Sequence, residues 1–106
     1  MRRADVYDAG VLAGTLSFDG EVYAFEYNTH FLENPKNRAI SLTLPKQKEP
    51  YISSSLHPFF SNLLAEGKLK ELQCKRLKID ENDEFTRLLK TAVSDTIGTV
   101  TIREIE

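Results

Sequence analysis

A chain of 106 residues with 41% hydrophobic and 28% charged side chains has the make-up of one globular domain with its own core, and disorder is not expected. Fourteen basic residues stand against sixteen acidic ones, a net charge of −2, so at the whole-chain level no basic surface is offered to nucleic acid. Cys74 is alone, which excludes an internal disulfide and fits a reducing cytoplasm; Arg2 and Arg3 precede no apolar run, so neither a signal peptide nor a membrane span is expected.

The first half has the period of strands. ADVYDAG reads as a first strand closed by a turn near Asp8-Ala9-Gly10. In residues 11–18, Leu12, Gly14, Leu16 and Phe18 recur every second position, the mark of a sheet face. Asp19-Gly20 follows, a pair that favours a tight hairpin with positive φ. The next run sets Tyr23, Phe25 and Tyr27 on one side and Val22, Ala24 and Glu26 on the other. Residues 28–38, with Asn, Pro and charge, read as a loop. AISLTLP, residues 39–45, alternates again through Ile40, Leu42 and Leu44 and predicts a fourth strand ended by Pro45. From Lys46 to Ser55 a polar surface excursion is expected.

The second half changes period. Phe59, Phe60, Leu63 and Leu64 make a helical stripe, with Pro58 suited to the first turn and Gly67 to a C-terminal stop. Leu69, Leu72 and Leu77, with Cys74 between them, predict a second helix. Asp80 reads as an N-cap, with Asp83 three residues on as its capping-box partner. Behind it Phe85, Leu88, Leu89 and Ala92 form a third stripe. GTVTIREI then returns to strand alternation through Val100 and Ile102. Strands followed by helices predict an α+β domain spanning 1–106: an antiparallel meander with about three helices on one face and a C-terminal strand returning to the sheet. The expected core is Leu16, Phe18, Tyr23, Phe25, Phe59, Phe60, Leu63, Phe85, Leu88 and Leu89.

Reactive constellations are scarce. His30, His57 and Cys74 lack the spacing of a zinc site, and His57 beside Pro58 reads as a helix-entry residue. Ser53, Ser54 and Ser55 lie near His57 only in sequence, which does not define a triad. Cys74 is flanked by Lys75 and Arg76, a setting that lowers thiol pKa values, but a half-buried small residue is the favoured reading. No phosphate loop follows Gly10 or Gly14; a turn and strand packing account for them. Asp80, Glu81, Asp83 and Glu84 fit a first helical turn, where carboxylates meet the helix dipole. No catalytic residue, metal or cofactor is expected. Lys68, Lys70, Lys75, Arg76 and Lys78 form the one basic cluster, and an RNA-binding module built on residues 68–78 stands as an alternative.

Five stretches in order resemble the N-terminal subdomain of HipA-type serine/threonine kinase toxins. They are Leu12-Ala13-Gly14-Thr15-Leu16, the aromatic strand Val22 to Tyr27, Ile40-Ser41-Leu42-Thr43-Leu44-Pro45, the segment Pro58-Phe59-Phe60 with Leu63-Leu64-Ala65-Glu66-Gly67, and Asp95-Thr96-Ile97-Gly98-Thr99-Val100. Two positions depart from that pattern: Ala65 replaces the usual proline, and Lys68 stands where many relatives carry an aromatic residue. A kinase needs a nucleotide cleft, metal-binding carboxylates and a base. None follows residue 106, so the expectation is a subdomain existing as its own protein. The resemblance then implies a HipS-type antitoxin subunit of the HipBST systems, docking on a HipT-like kinase and reaching a HipB-like DNA-binding protein through the complex. A separately encoded regulatory subdomain of a HipA-like kinase is the neighbouring alternative. Phe59, Phe60 and Leu63 are expected to point inward. Leu64, Ala65, Glu66, Gly67 and Lys68, with Phe31 and Leu32, are the expected partner contacts.

Overall fold

A computed structural model describes residues 2–64, 67–80, 82–91 and 100–105. Its elements run β1 (Arg2–Asp8), β2 (Val11–Phe18), β3 (Tyr23–Tyr27), α1 (Thr29–Glu33), β4 (Tyr51–Ser53), α2 (Pro58–Ser61), α3 (Gly67–Leu77), α4 (Glu84–Thr91) and β5 (Val100–Ile105). The five strands form an antiparallel sheet in the order β4-β3-β2-β1-β5, so the C-terminal strand returns to an edge beside β1.

Alternation decides which face is buried. Leu16 pairs with Ala4 on one side and Phe25 on the other, Gly14 pairs with Val6 and Tyr27, and Val6 pairs with Ile102. These residues join Phe31, Phe60, Leu64, Phe85, Leu88 and Leu89 from the helical side in one contiguous core. The intervening positions, Arg3, Glu26 and Arg103 among them, are exposed. The α+β architecture therefore follows the reading of the sequence. Of the expected core, Leu16, Phe25, Phe60, Phe85, Leu88 and Leu89 are buried, while Phe18, Tyr23, Phe59 and Leu63 pack against the core from half-exposed positions. Phe18 stacks on Tyr23 with ring centroids 4.2 Å apart, and both lie near Phe85.

The turns are more specific than the alternation. Asp8 pairs with Val11, leaving Ala9-Gly10 as a two-residue loop with φ of 52° and 82°, the type I′ geometry that matches strand twist. In the β1–β2 ladder Val6 opposes Gly14 but Tyr7 opposes Leu12. Ala13 is the extra residue of a β-bulge, buried, with its carbonyl accepting from the Asn28 amide at 2.7 Å. The expected tight hairpin at Asp19-Gly20 is instead a longer loop. Phe18 and Tyr23 are the last pair, and Asp19 Oδ1 accepts from the amides of Glu21 and Val22. Those amides hold the Asp19 carboxyl below its ordinary value.

Other expectations are corrected. Residues 39–45 are not a strand: Ser41 and Leu44 form an isolated bridge across a turn, with the Thr43 amide donating to Ser41 Oγ. The groups a strand would pair are taken by one side chain. The Tyr27 hydroxyl donates to the Leu44 carbonyl and accepts from the Ile40 amide. The fourth strand is Tyr51–Ser53, within the expected excursion, and Phe25 pairs with Tyr51. Residues 29–33 form a short helix capped by Asn28, whose Oδ1 accepts from the amides of His30 and Phe31. Gly67 opens α3 rather than ending the preceding helix. Asp83, not Asp80, begins α4: its carboxylate accepts from the Thr86 amide and hydroxyl, and Arg2 reaches Thr86 Oγ1 at 2.7 Å. Ala92 and the step from Asp95 to Thr99 lie outside the described residues.

Two measurements test this frame. A Cβ at Gly14 would collide with the Glu26 carbonyl oxygen and lie 2.9 Å from the Phe25 ring. Backbone on the neighbouring strand has little freedom to yield, so Gly14→Ala is expected to lose about 1–3 kcal/mol, read as a lower urea midpoint. Tyr27→Phe strands the Ile40 amide and the buried Leu44 carbonyl and is expected to cost about 1–3 kcal/mol. Burial raises the Tyr27 phenol above its ordinary 10.0. A raised folded-state value means that stability is intact below the unfolded value and lost as pH climbs through the folded one. The wild type should therefore weaken above about pH 10, and Tyr27→Phe should weaken less steeply there, both read as urea midpoints across pH.

Candidate partner-binding surface

Among the described residues no three His, Cys, Asp or Glu side chains converge as a metal site would require. What the helical side does present is apolar surface, and its form is set by α2. His57 caps that helix by accepting the Phe59 amide on Nδ1 at 3.0 Å, which agrees with its reading as a helix-entry residue. Pro58 occupies the first helical position, where its missing amide hydrogen costs nothing.

The doubled residues of this segment lie in two rows. Leu56, Phe60 and Leu64, spaced by four, are buried, with the Phe60 ring centroid 5.4 Å from that of Phe25. Phe59 and Leu63, also four apart, form the other row and remain half-exposed. This reverses part of the expectation, because Leu64 points inward and Leu63 stands on the outer row.

Phe59 and Leu63 line an open groove of about 370 Å³ together with Pro58, Asn62, Ser41 and Thr43. Leu42, between those last two residues, is 99% exposed. Its position is no accident of a loose loop. Tyr27 holds Ile40 and Leu44 from beneath, the Tyr51 hydroxyl donates to the Pro45 carbonyl, and Lys46 Nζ donates to the carbonyls of Asn34 and Asn37. Leu44 is buried at the base of this turn and Leu42 is thrust outward at its tip.

The residues singled out from sequence do not gather in one place. Phe31 is 3% exposed and stacks on Tyr27 with centroids 5.7 Å apart, so it belongs to the core and not to an exposed anchor pair. The cause is local: Asn28 starts α1 and turns Phe31 toward the sheet. Leu32 is half-buried and lines a separate, more polar opening with Glu26, Glu33 and Lys48. Leu64 is buried, Gly67 and Lys68 are exposed at the start of α3, and Ala65 and Glu66 lie outside the described residues. Leu42 was missed as a surface residue, because its alternation with Ile40 and Leu44 reads as a strand face. The row of Leu56, Phe60 and Leu64 was the available signal for the split within α2.

Comparison with known proteins places this geometry in a family. A family model described as the HipA N-terminal domain matches residues 4–103. A Haemophilus influenzae (strain ATCC 51907 / DSM 11121 / KW20 / Rd) protein, described only as uncharacterized, is 33% identical over 104 residues, covering 98% of this chain and 93% of that protein. Among solved structures, the N-terminal domain of HipA toxin superposes with a TM-score of 0.75 at 29% identity, over all of this chain and 94% of that one. With the family model spanning nearly the whole sequence and the superposition covering all of it, the chain belongs to the HipA N-terminal domain family.

Proposed function

We propose that this chain is a non-catalytic antitoxin subunit of the HipS type, which binds and neutralises a HipT-like serine/threonine kinase in the cytoplasm. A HipB-like DNA-binding protein joins through the same complex. The observation that carries the reading is the groove of Phe59 and Leu63 with Leu42 at its rim, on a domain of the family named for the N-terminal part of HipA, a toxin. Support also comes from the Haemophilus influenzae relative, of which this fold spans 93%: there the domain fills almost the whole protein.

The physical logic is that of a domain interface presented to a separate chain. Specific complexes bury on the order of 800 Å² per partner, and a few central apolar anchors supply most of the affinity. A rigid turn carrying one leucine, beside a half-buried phenylalanine, meets that need at small entropic cost, since Tyr27 and Tyr51 hold the turn before any partner arrives. Neutralisation then requires only that the docked domain restrict the kinase, with no chemistry of its own.

Co-expression with a HipA-like kinase that lacks its N-terminal domain, from the same genome, should yield a stable complex. Kinase autophosphorylation should fall on adding this chain. Leu42→Ser removes no buried contact and should keep the melting temperature while weakening the complex at least tenfold, equivalent to about 1.4 kcal/mol. If the wild-type chain neither binds that kinase nor changes its activity, the proposal fails.

A further inference from the structure

Helix α3 has no use in the core that accounts for its leucines. Of its residues Gly67–Leu77 only Cys74 is buried, while Leu69 is 56%, Leu72 65% and Leu77 42% exposed. Leu69 and Leu72, three apart, stand on one face. Around Leu72, Lys68 lies four positions before, Lys75 three after and Arg76 four after, the spacings at which helical side chains are neighbours. The residues from 67 to 78 hold five cations, Lys68, Lys70, Lys75, Arg76 and Lys78, against Glu71 alone. They carry +4, so the rest of the chain, nine basic against fifteen acidic residues, carries −6. The modest total charge hides a basic helix on an acidic body.

We propose that α3 is a docking helix whose Leu69–Leu72 ridge enters an apolar groove rimmed by carboxylates on a protein partner. This inference rests on the reading above, the partner being the same kinase, and adds a second contact beyond the Leu42 groove. Charge complementarity names the partner's chemistry: apolar floor for the leucines, aspartate or glutamate for Lys68, Lys75 and Arg76. A protein is favoured over single-stranded RNA because α3 contains no aromatic side chain on which a base could stack. It is favoured over a membrane because an eleven-residue helix with three leucines gives little apolar area, and the acidic body is repelled by an anionic leaflet. Packing of α3 on α3 of a second copy would set lysine against lysine, so a second copy would have to offer its acidic body instead, and sedimentation reads that case.

The test uses the whole chain with the kinase and two double variants. Leu69→Gln with Leu72→Gln exchanges exposed leucines for a good helix former, so circular dichroism and melting should match the wild type. Lys75→Glu with Arg76→Glu reverses the flanking charge. The leucine pair should weaken the kinase complex at least tenfold. The charge reversal should slow association and flatten its dependence on salt, since flanking charge steers encounter. Leu42→Ser reports on the groove separately. If it weakens binding while both α3 doubles bind as the wild type does, the docking helix is overturned and the proposed function stands. If the wild type binds no kinase, both are overturned together. Loss of binding to poly-uridylate, to phosphatidylserine vesicles or to a second copy in sedimentation, with kinase binding untouched in the α3 variants, also overturns it.

Discussion

One phenol organises the side of the molecule that displays Leu42. Tyr27 ends β3, packs its ring between Phe25 and Phe31, and extends its hydroxyl to the Ile40 amide and the Leu44 carbonyl. Those two backbone groups flank the turn that carries Leu42. A buried carbonyl and an amide near it need partners, and here a side chain from the sheet supplies both. The segment therefore gains a fixed shape without joining the sheet. Core packing and surface display meet in one residue: the ring belongs to the first and the hydroxyl secures the second.

The strand pairing explains why display falls on the helical side. Arg3, Glu26 and Arg103 occupy the sheet face opposite the core, so that face stays wet. Antiparallel sheets commonly bury one face and leave the other solvated. The buried apolar residues are then gathered between the sheet and α1, α2 and α4. The segment from Leu56 to Leu64, with short α2 at its centre, turns only one of its two rows inward. Phe60 and Leu64 take the place, continuing the line of Leu56, and Phe59 and Leu63 are left at the rim.

Legibility in the sequence followed the strength of the local rule. The aromatic alternation of Tyr23, Phe25 and Tyr27 was readable because a buried sheet face admits no register slip. The Ala9-Gly10 turn was readable because few residues tolerate its geometry. Alternation through Ile40, Leu42 and Leu44 misled, since period two describes residues and says nothing of where amides and carbonyls find partners; Tyr27, thirteen residues earlier, had already claimed them. Gly14 could be assigned to strand packing, but the bulge at Ala13 was invisible because Leu12, Gly14 and Leu16 keep perfect spacing while the ladder does not. Asp80 reads from local pattern as the cap of α4 with Asp83 as its box partner, but Asp83 takes the cap through Thr86, which Arg2 reaches from 84 positions away in sequence. At the candidate site the paired phenylalanines and leucines announced a hydrophobic segment, and the spacing of Leu56, Phe60 and Leu64 by four was the one local sign of which member of each pair faces in.

The two apolar exposures have opposite origins, and that difference bears on how the proposed docking would divide between them. The groove at Phe59 exists because a doubled row cannot be wholly buried by so short a helix; its residues remain tied to the core, and its shape is as fixed as the fold. The leucines of α3 exist outside the core altogether, on a helix whose only buried side chain is Cys74. A contact on the first is pre-organised and selects by shape, whereas a contact on the second draws on charge and on ordering at the moment of binding. Charge acts at longer range than apolar contact, so in the proposed complex the basic helix would govern encounter and the fixed groove would govern residence. Because α3 and the Tyr27-held turn are separate elements, each can be altered without unfolding the sheet that carries them.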